Sequence, residues 1–148
     1  MTLLSFMQTE MEKNYSFLSE IFMSPPKEIE DLDKAIKMPH TKMENYLIDV
    51  DNIVGTYHSD YQNNDFKSVC IGLKRKFNFR YDINDEERLK YLWDKKDTKK
   101  EFDWDMIVYK GKGYIYSGGN HRTIAAKFLA KCGKIPNKIY IPTAYVMK

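Results

Sequence analysis

The sequence has few of the features that mark disulfide scaffolds, zinc proteins and membrane proteins. Only two of its 148 residues are cysteine, Cys70 and Cys132, too few for a disulfide scaffold or, by themselves, for a four-ligand zinc site. No stretch approaches the roughly 18 uninterrupted apolar residues of a membrane-spanning helix. The first residues include Glu10 and Glu12 and show no cleavage site of small residues, so no secretory signal is evident. We therefore expect a protein that does not enter the membrane and resides in the cytoplasm.

The common catalytic motifs are also missing. The chain contains no Walker A loop, no nucleophile-elbow serine, no Cys-x-x-Cys and no His-Glu-x-x-His arrangement. His40 and His58 have no partners at metal-ligand spacing. A metal ion would then be a hard cation such as Mg²⁺, brought to the protein by phosphate groups.

The composition is that of a globular protein whose charge is unevenly distributed. Hydrophobic residues make up 43% and charged residues 30% of a chain long enough for one domain. Residues 1–66 carry 5 Lys and no Arg against 12 Asp and Glu, a net charge of −7, whereas residues 67–148 carry +10. This division favours an anionic partner for the second half, a nucleotide or a nucleic acid. The alternative is that the two halves pack together and neutralise each other.

Residues 1–44 are expected to form an N-terminal helical extension. Apolar residues recur at helical spacing over 3–23, which predicts an amphipathic helix that ends at Ser24-Pro25-Pro26. The apolar stripe is either a core face or a contact for a second copy of the chain or a partner protein.

Residues 45–148 are expected to form an α/β (α+β) domain with a small mixed sheet and flanking helices. A helix is predicted from Asn84 to about Trp93, and a second, with His121 and Arg122 in its first turn, is marked by Ile124, Ala125, Phe128, Leu129 and Cys132, while 68–79 is ambiguous. The segment 51–56 is expected to be a turn or a short helical element. The predicted strands are Tyr46–Val50, a hairpin of Trp104–Tyr109 with Tyr114–Tyr116, and a final strand over 139–146, interrupted or bent at Pro142.

The most informative segment is a strand followed by Gly118-Gly119-Asn120-His121-Arg122 and a helix. Two glycines allow a sharp turn and a close backbone approach to a ligand. The start of a helix presents unpaired N–H groups and a partial positive charge, to which His121 and Arg122 add donors. Together these features predict an anion site that suits phosphate. The alternative is an ordinary strand-to-helix turn with a solvated arginine.

This segment resembles the phosphate-binding signature of the ParB/sulfiredoxin superfamily, in which a strand, Gly-x-His-Arg or Gly-x-Arg-Arg and a helix follow one another. The preceding hairpin and the segment Ile48–Thr56 are similar to the family's other strands, so the resemblance covers roughly 45–146. Asn120 stands where sulfiredoxins have their catalytic cysteine, which argues against sulfinate reduction. Gly118 stands where many relatives have Asp.

The resemblance implies a small α/β domain with a nucleotide pocket. The residues expected to cradle phosphates are Gly118, Gly119, Asn120, His121, Arg122 and Thr123. Asp49, Asp51 and Asp60 are the candidates for binding Mg²⁺ or acting as a base, of which we favour Asp51 because it follows the opening strand, and His121 would take part in catalysis. The expected ligand is a nucleoside triphosphate with Mg²⁺, and the expected activity is its hydrolysis or phosphoryl transfer.

A second hypothesis is a non-catalytic module that binds nucleic acid or a partner protein. Three cations, Lys74-Arg75-Lys76, are followed by Phe77, Phe79 and Arg80. Such a mixture of cations and aromatic rings can hold single-stranded nucleic acid by stacking and phosphate contacts. A nuclease on the same scaffold is a third hypothesis.

Overall fold

The computed structural model describes residues 1–99 and 103–148, which combine helices with a mixed sheet. The helices are α1 (Leu3–Met11), α2 (Leu32–Lys37), α3 (Phe66–Ile71), α4 (Glu86–Trp93) and α5 (Asn120–Lys131). The strands are β1 (Ile21–Phe22), β2 (His40–Asp49), β3 (Ile53–Thr56), β4 (Asn64–Asp65), β5 (Asp105–Tyr109), β6 (Lys112–Ile115) and β7 (Lys138–Met147). Short 3₁₀ turns lie at Ser16–Ser19, Lys27–Ile29, Val50–Asn52, Ser59–Tyr61 and Lys76–Phe79.

Five strands form the central sheet in the order β2-β7-β5-β6-β3. The pairs β2/β7 and β5/β6 are antiparallel, while β7/β5 and β6/β3 are parallel. Lys110 and Gly111 close the β5–β6 hairpin with φ of 51° and 78°, as the tightest hairpin turns require. The expected α+β class, the small mixed sheet with flanking helices and the hairpin are confirmed.

One expectation for the sheet is wrong, and so is one of the two alternatives given for the final strand, its interruption. The segment 51–56 is helical only at its start, because 53–56 is the edge strand β3, with Gly55 beside Tyr114 of β6. The final strand is not interrupted at Pro142, since β7 runs unbroken over 138–147 between β2 and β5. The first predicted strand is also longer than expected and begins at His40.

The single helix expected over 3–23 is also wrong. It ends at Met11, and the chain continues through the turn Ser16–Ser19 into β1, which pairs with β4. Phe17 and Phe22 are buried in these non-helical segments, where both pack on Phe66. Tertiary aromatic contacts therefore outweigh the helical periodicity of this stretch.

Residues 1–44 contribute to the same core as the rest of the chain. Leu3, Met7 and Met11 of α1 are buried in one cluster with the apolar face of α5. The boundary expected between residues 44 and 45 falls inside β2, whose ladder with β7 extends from His40 to Asp49.

Helix α5 covers one face of the sheet with buried Ile124, Ala125, Phe128 and Leu129. A smaller cluster of Ile29, Ala35, Ile107 and Tyr114 lies apart from this core. None of the helices in the described ranges has both the length and the apolar composition needed to cross a membrane.

Candidate functional site

A cleft of about 760 Å³ opens at the start of α5. Most of its lining comes from three parts of the chain: the segment from Ser117 into α5, helix α4, and the residues around the 3₁₀ turn 76–79. Its volume lies in the upper part of the range of about 300–1,000 Å³ that small-molecule sites occupy. The lining residues are His58, Tyr61, Lys74, Arg75, Asn78, Phe79, Tyr81, Glu87, Arg88, Tyr91, Leu92, Asp103, Ser117, Gly118, Gly119, Asn120, His121 and Arg122.

The glycine turn, Gly118-Gly119, is held by contacts from Asp105 of β5 and from Trp104, the residue before that strand. The carboxylate of Asp105 accepts hydrogen bonds from the backbone N–H groups of Ser117 at 2.8 Å and Gly118 at 3.1 Å. Gly119 has φ of +86°, and a Cβ on it would overlap the fully buried ring of Trp104. The sequence therefore folds here into a turn that glycine alone fits well.

The start of α5 faces the cleft with open backbone donors. The first helical hydrogen bond runs from Thr123 N–H to Gly119 C=O at 2.8 Å, and no side chain of the described residues caps the helix. The N–H groups of residues 120–122 precede that first bond. They carry the partial positive charge of a 12-residue helix toward the cleft.

Arg122 is held in place by three neighbours. Its guanidinium donates to Tyr91 Oη and to the Asp103 carbonyl, both at 3.2 Å. The guanidinium carbon also lies 5.0 Å from the ring centroid of Trp104, a cation–π distance. These contacts use one hydrogen on each terminal nitrogen, so the side chain is oriented while each nitrogen retains a second hydrogen to donate.

His121 is a neutral member of the site. Its Nε2 accepts the backbone N–H of Arg75 at 2.8 Å, which places the imidazole proton on Nδ1. Burial, and then the positive charges of Arg75 and His58, lower the pKa of His121. A base at Nε2 would first have to release Arg75. In this structure the ring instead holds the backbone of Arg75, which belongs to the basic segment 74–80.

The side chains of Asn120 and Thr123 both form hydrogen bonds with other residues of the fold. Asn120 Oδ1 accepts a hydrogen bond from Thr56 Oγ1 at 2.7 Å and ties α5 to β3, although the residue also lines the cleft. Thr123 is fully buried, and its hydroxyl accepts the indole N–H of Trp104 at 2.8 Å. Thr123 therefore supports the turn from behind, outside the lining of the cleft.

Asp51 lies at the other end of α5. It forms an ion pair with Lys131 at 2.6 Å, and this ion pair lowers the pKa of Asp51. Residues 120 and 131 are about 16 Å apart along a helix that rises 1.5 Å per residue. The structure therefore brings five of the expected phosphate-binding residues, 118–122, into one cleft and does not bring Asp51 there.

The far walls of the cleft were not predicted as part of a site. Helix α4 contributes Arg88 and Tyr91, and the loops contribute Tyr61 and Tyr81. The i,i+3 spacing of Arg88 and Tyr91 signals a shared helix face in the sequence. Nothing in that spacing indicates that the face lies opposite the glycine turn.

Lys96 lies behind the cleft against Trp104. It is buried, donates from Nζ to the Tyr140 carbonyl at 2.6 Å, and places its ammonium 4.4 Å from the Trp104 ring centroid. Burial lowers the pKa of Lys96 to about 7, with a smaller contribution from the Arg122 charge, while Asp94 acts in the opposite direction. Trp104 thus contacts two cations and the glycine turn.

The described ranges hold no group of three His, Cys, Asp or Glu side chains arranged to bind a metal ion. The cleft carboxylates are Glu87 and Asp103, both exposed. The expected metal ligand, Asp51, does not fit a Mg²⁺ site at the glycine turn.

Comparison of the chain with protein-family models, curated proteins and solved structures finds no match.

Proposed function

We propose that the protein binds a nucleotide, with a phosphate group at the start of α5. The observation that carries this proposal is the meeting of three features at one point of the cleft: the uncapped first turn of α5, the glycine turn and the Arg122 guanidinium. Backbone N–H groups and a planar guanidinium are the donors that phosphate oxygens accept best.

The walls of the cleft suit the rest of a nucleotide. Tyr61, Phe79, Tyr81 and Tyr91 supply aromatic surface, while Arg75 and Arg88 add positive charge. Aromatic rings with a few placed polar groups are typical of sites that hold a heterocyclic base. The resemblance of Gly118–Arg122 to the ParB/sulfiredoxin signature supports the same class of ligand.

We propose binding of a nucleotide and leave its hydrolysis to be decided by experiment. Asp51 is remote from the cleft, and His121 Nε2 is engaged by Arg75. Mg²⁺ would arrive coordinated by the phosphates of a triphosphate, where it would neutralise their charge. The protein's own contribution is to orient the phosphate through the helix start and Arg122.

Thermal unfolding tests the proposal. The wild type and Arg122→Gln are heated with CTP, ATP, GTP or ADP, each with and without Mg²⁺, and with inorganic phosphate alone. A ligand at 100 times its Kd stabilises the folded state by about 2.7 kcal/mol, so we expect a rise of several degrees in Tm for the wild type. We expect the rise to be lost in Arg122→Gln, and phosphate release is measured in the same samples.

Lys37→Gln is the matched control, because it removes one positive charge from the exposed end of α2, outside the cleft lining. It should respond to nucleotide as the wild type does. The proposal is overturned if no nucleotide raises Tm, or if Arg122→Gln responds as fully as Lys37→Gln.

A further inference from the structure

The basic segment and the glycine turn, separate features in the sequence, are one surface in the fold. The hydrogen bond from Arg75 N–H to His121 Nε2 joins them directly at 2.8 Å. Lys74, Arg75 and Asn78 line the same cleft as Gly118–Arg122. A ligand at the start of α5 therefore lies beside the cationic segment.

The 3₁₀ turn 76–79 sorts this segment into faces. Residues three apart share a face in a 3₁₀ helix. Arg75 and Asn78 line the cleft from exposed positions, whereas Phe79, which also lines the cleft, is 3% exposed and belongs to the core cluster. Phe77, and Arg80 directly after the turn, form a third row outside the cleft lining; Phe77 is 62% exposed and Arg80 is also exposed.

This row has the composition of a stacking platform. An exposed phenylalanine beside an arginine offers a ring face to a base and a cation to the next phosphate. Lys74 is paired with Asp60, whereas no ion pair of Arg75, Arg80 or Arg122 occurs among the described side chains. These three arginines bring positive charge from the start of α5 to the segment 74–80, while Glu87 and Asp103 are the carboxylates that line the cleft.

We infer that the ligand of the cleft is a nucleotide within a single-stranded nucleic acid, whose neighbouring base stacks on Phe77 and whose next phosphate contacts Arg80. This inference rests on the proposed function and extends it from one nucleotide to a strand. The first phosphate is held by α5 and Arg122, as in the proposed function.

The shape of the cleft distinguishes a single strand from a duplex. A base must leave the stack to enter a concave site lined by Tyr81 and Tyr91, and an unpaired strand does so at little cost. A duplex presents only its phosphates, which would contact the rim cations and leave the aromatic walls unused. The affinity should therefore favour single strands over duplexes of the same length.

Fluorescence anisotropy tests the inference. The probes are fluorescein-labelled twelve-nucleotide oligothymidylate and oligouridylate, the corresponding duplex and labelled ATP, titrated with the full chain at two salt concentrations. We expect the single strands to bind at least about tenfold more tightly than ATP and the duplex, and Phe77→Ser to remove about tenfold of that affinity. Phe77→Ser should leave ATP affinity within about twofold of wild type.

Leu47→Ser is the matched control, since Leu47 is an exposed apolar residue on β2, outside the cleft. It should bind the strands as the wild type does. Arg122→Gln should weaken both ATP and the strands, because one site holds a phosphate of each.

The outcomes separate the two proposals. If ATP binds in an Arg122-dependent way but the strands bind no more tightly, or Phe77→Ser equals Leu47→Ser, this inference alone is overturned. If the strands bind and Arg122→Gln has no effect on them, the strand path does not include the start of α5 and the inference is again overturned. If no probe binds, the proposed function fails with it.

Discussion

Gly119 combines a left-handed backbone with a buried ring where its side chain would be. Its φ is +86°, and a Cβ would overlap Trp104, which is fully buried. We expect Gly119→Ala to lower the free energy of unfolding by roughly 2–4 kcal/mol, since the left-handed backbone and the overlap each contribute. Urea unfolding followed by far-UV circular dichroism measures the change.

Gly111→Ala separates the two contributions. Gly111 has φ of +78° at the hairpin turn, and no atom of the described residues other than its chain neighbours lies within 4 Å of the position that an alanine methyl group would take, so it carries the backbone penalty alone. Its loss should be about 1–2 kcal/mol. Equal losses for the two variants would show that the Trp104 ring does not constrain the glycine turn.

At the level of residues, local sequence identifies the part of the site that is contiguous in the chain. Gly118–Arg122 lie in the cleft because a strand, a turn and a helix start are encoded within a few positions. Trp104 could not be predicted as their support, since its contact with Gly119 depends on the sheet that places β5 beside β6. Asp51 was expected at the site because it follows a strand, but that strand ends near the opposite end of α5.

At the level of elements, Lys96 connects the segment after α4 to the sheet through hydrogen bonds. Its backbone N–H donates to Asn45 Oδ1 at 2.9 Å, and Asn45 Nδ2 donates to the Lys96 carbonyl at 2.8 Å. The ammonium donates to Tyr140 of β7. One lysine thus connects the loop with both β2 and β7, and it does so from a buried position.

This position predicts a pH dependence of stability. Burial lowers the pKa of Lys96 to about 7, against about 10.4 for an unfolded chain, so the unfolded state binds the extra proton between these values. Stability due to Lys96 therefore rises as pH increases above about 7. Between pH 7 and 9 we expect the free energy of unfolding of the wild type to gain about 1–2 kcal/mol relative to Lys96→Met.

Lys95→Met is the control, because Lys95 is the exposed neighbour and loses the same charge. Its difference from wild type should be flat over this pH range in urea unfolding. A flat difference for Lys96→Met as well would mean that Lys96 stays charged in the folded protein.

Elements with strong local signals were predicted well, and those decided by distant contacts were not. The β5–β6 hairpin has its turn residues, α4 has Asp85 as N-cap, and α5 lies between a glycine turn and Gly133. Residues 12–23 have helical spacing too, but the same spacing also fits a 3₁₀ turn followed by a strand. Pairing of β1 with β4 selects the second arrangement, and no local pattern encodes that pairing.

At the level of the whole molecule, the acidic and basic halves are interleaved. Asp60 pairs with Lys74, and Asp51 pairs with Lys131, so each ion pair joins the two halves. These two contacts are of the kind that mutual neutralisation of the halves would involve, whereas the pairs Glu10–Lys13, Asp85–Arg88 and Asp94–Lys90 each lie within one half. The cations of the cleft are less affected, since Arg75 and Arg122 lie outside these pairs. We therefore assign the anionic partner expected from the charge division to one local surface, the cleft.

We expect the N-terminal segment to unfold in the same cooperative unit as the cleft. Leu3 is fully buried in the main core, and its N–H donates to the Tyr81 carbonyl at 2.8 Å, next to a wall of the cleft. We expect Leu3→Ala to lower the free energy of unfolding by about 2–5 kcal/mol, the usual effect of a buried leucine truncation.

Two probes of unfolding decide whether that loss is shared by the whole chain. Tryptophan fluorescence reports only Trp93 and Trp104, both far from Leu3 in sequence, whereas far-UV circular dichroism reports every helix and strand. In one cooperative unit, Leu3→Ala shifts both transitions to the same lower urea concentration. The control Leu47→Ala, on the exposed face of β2, should change the free energy of unfolding measured by either probe by no more than about 0.5 kcal/mol. If residues 1–44 were an independent extension, the tryptophan transition of Leu3→Ala would stay at its wild-type position, because the sheet and the cleft would not depend on α1.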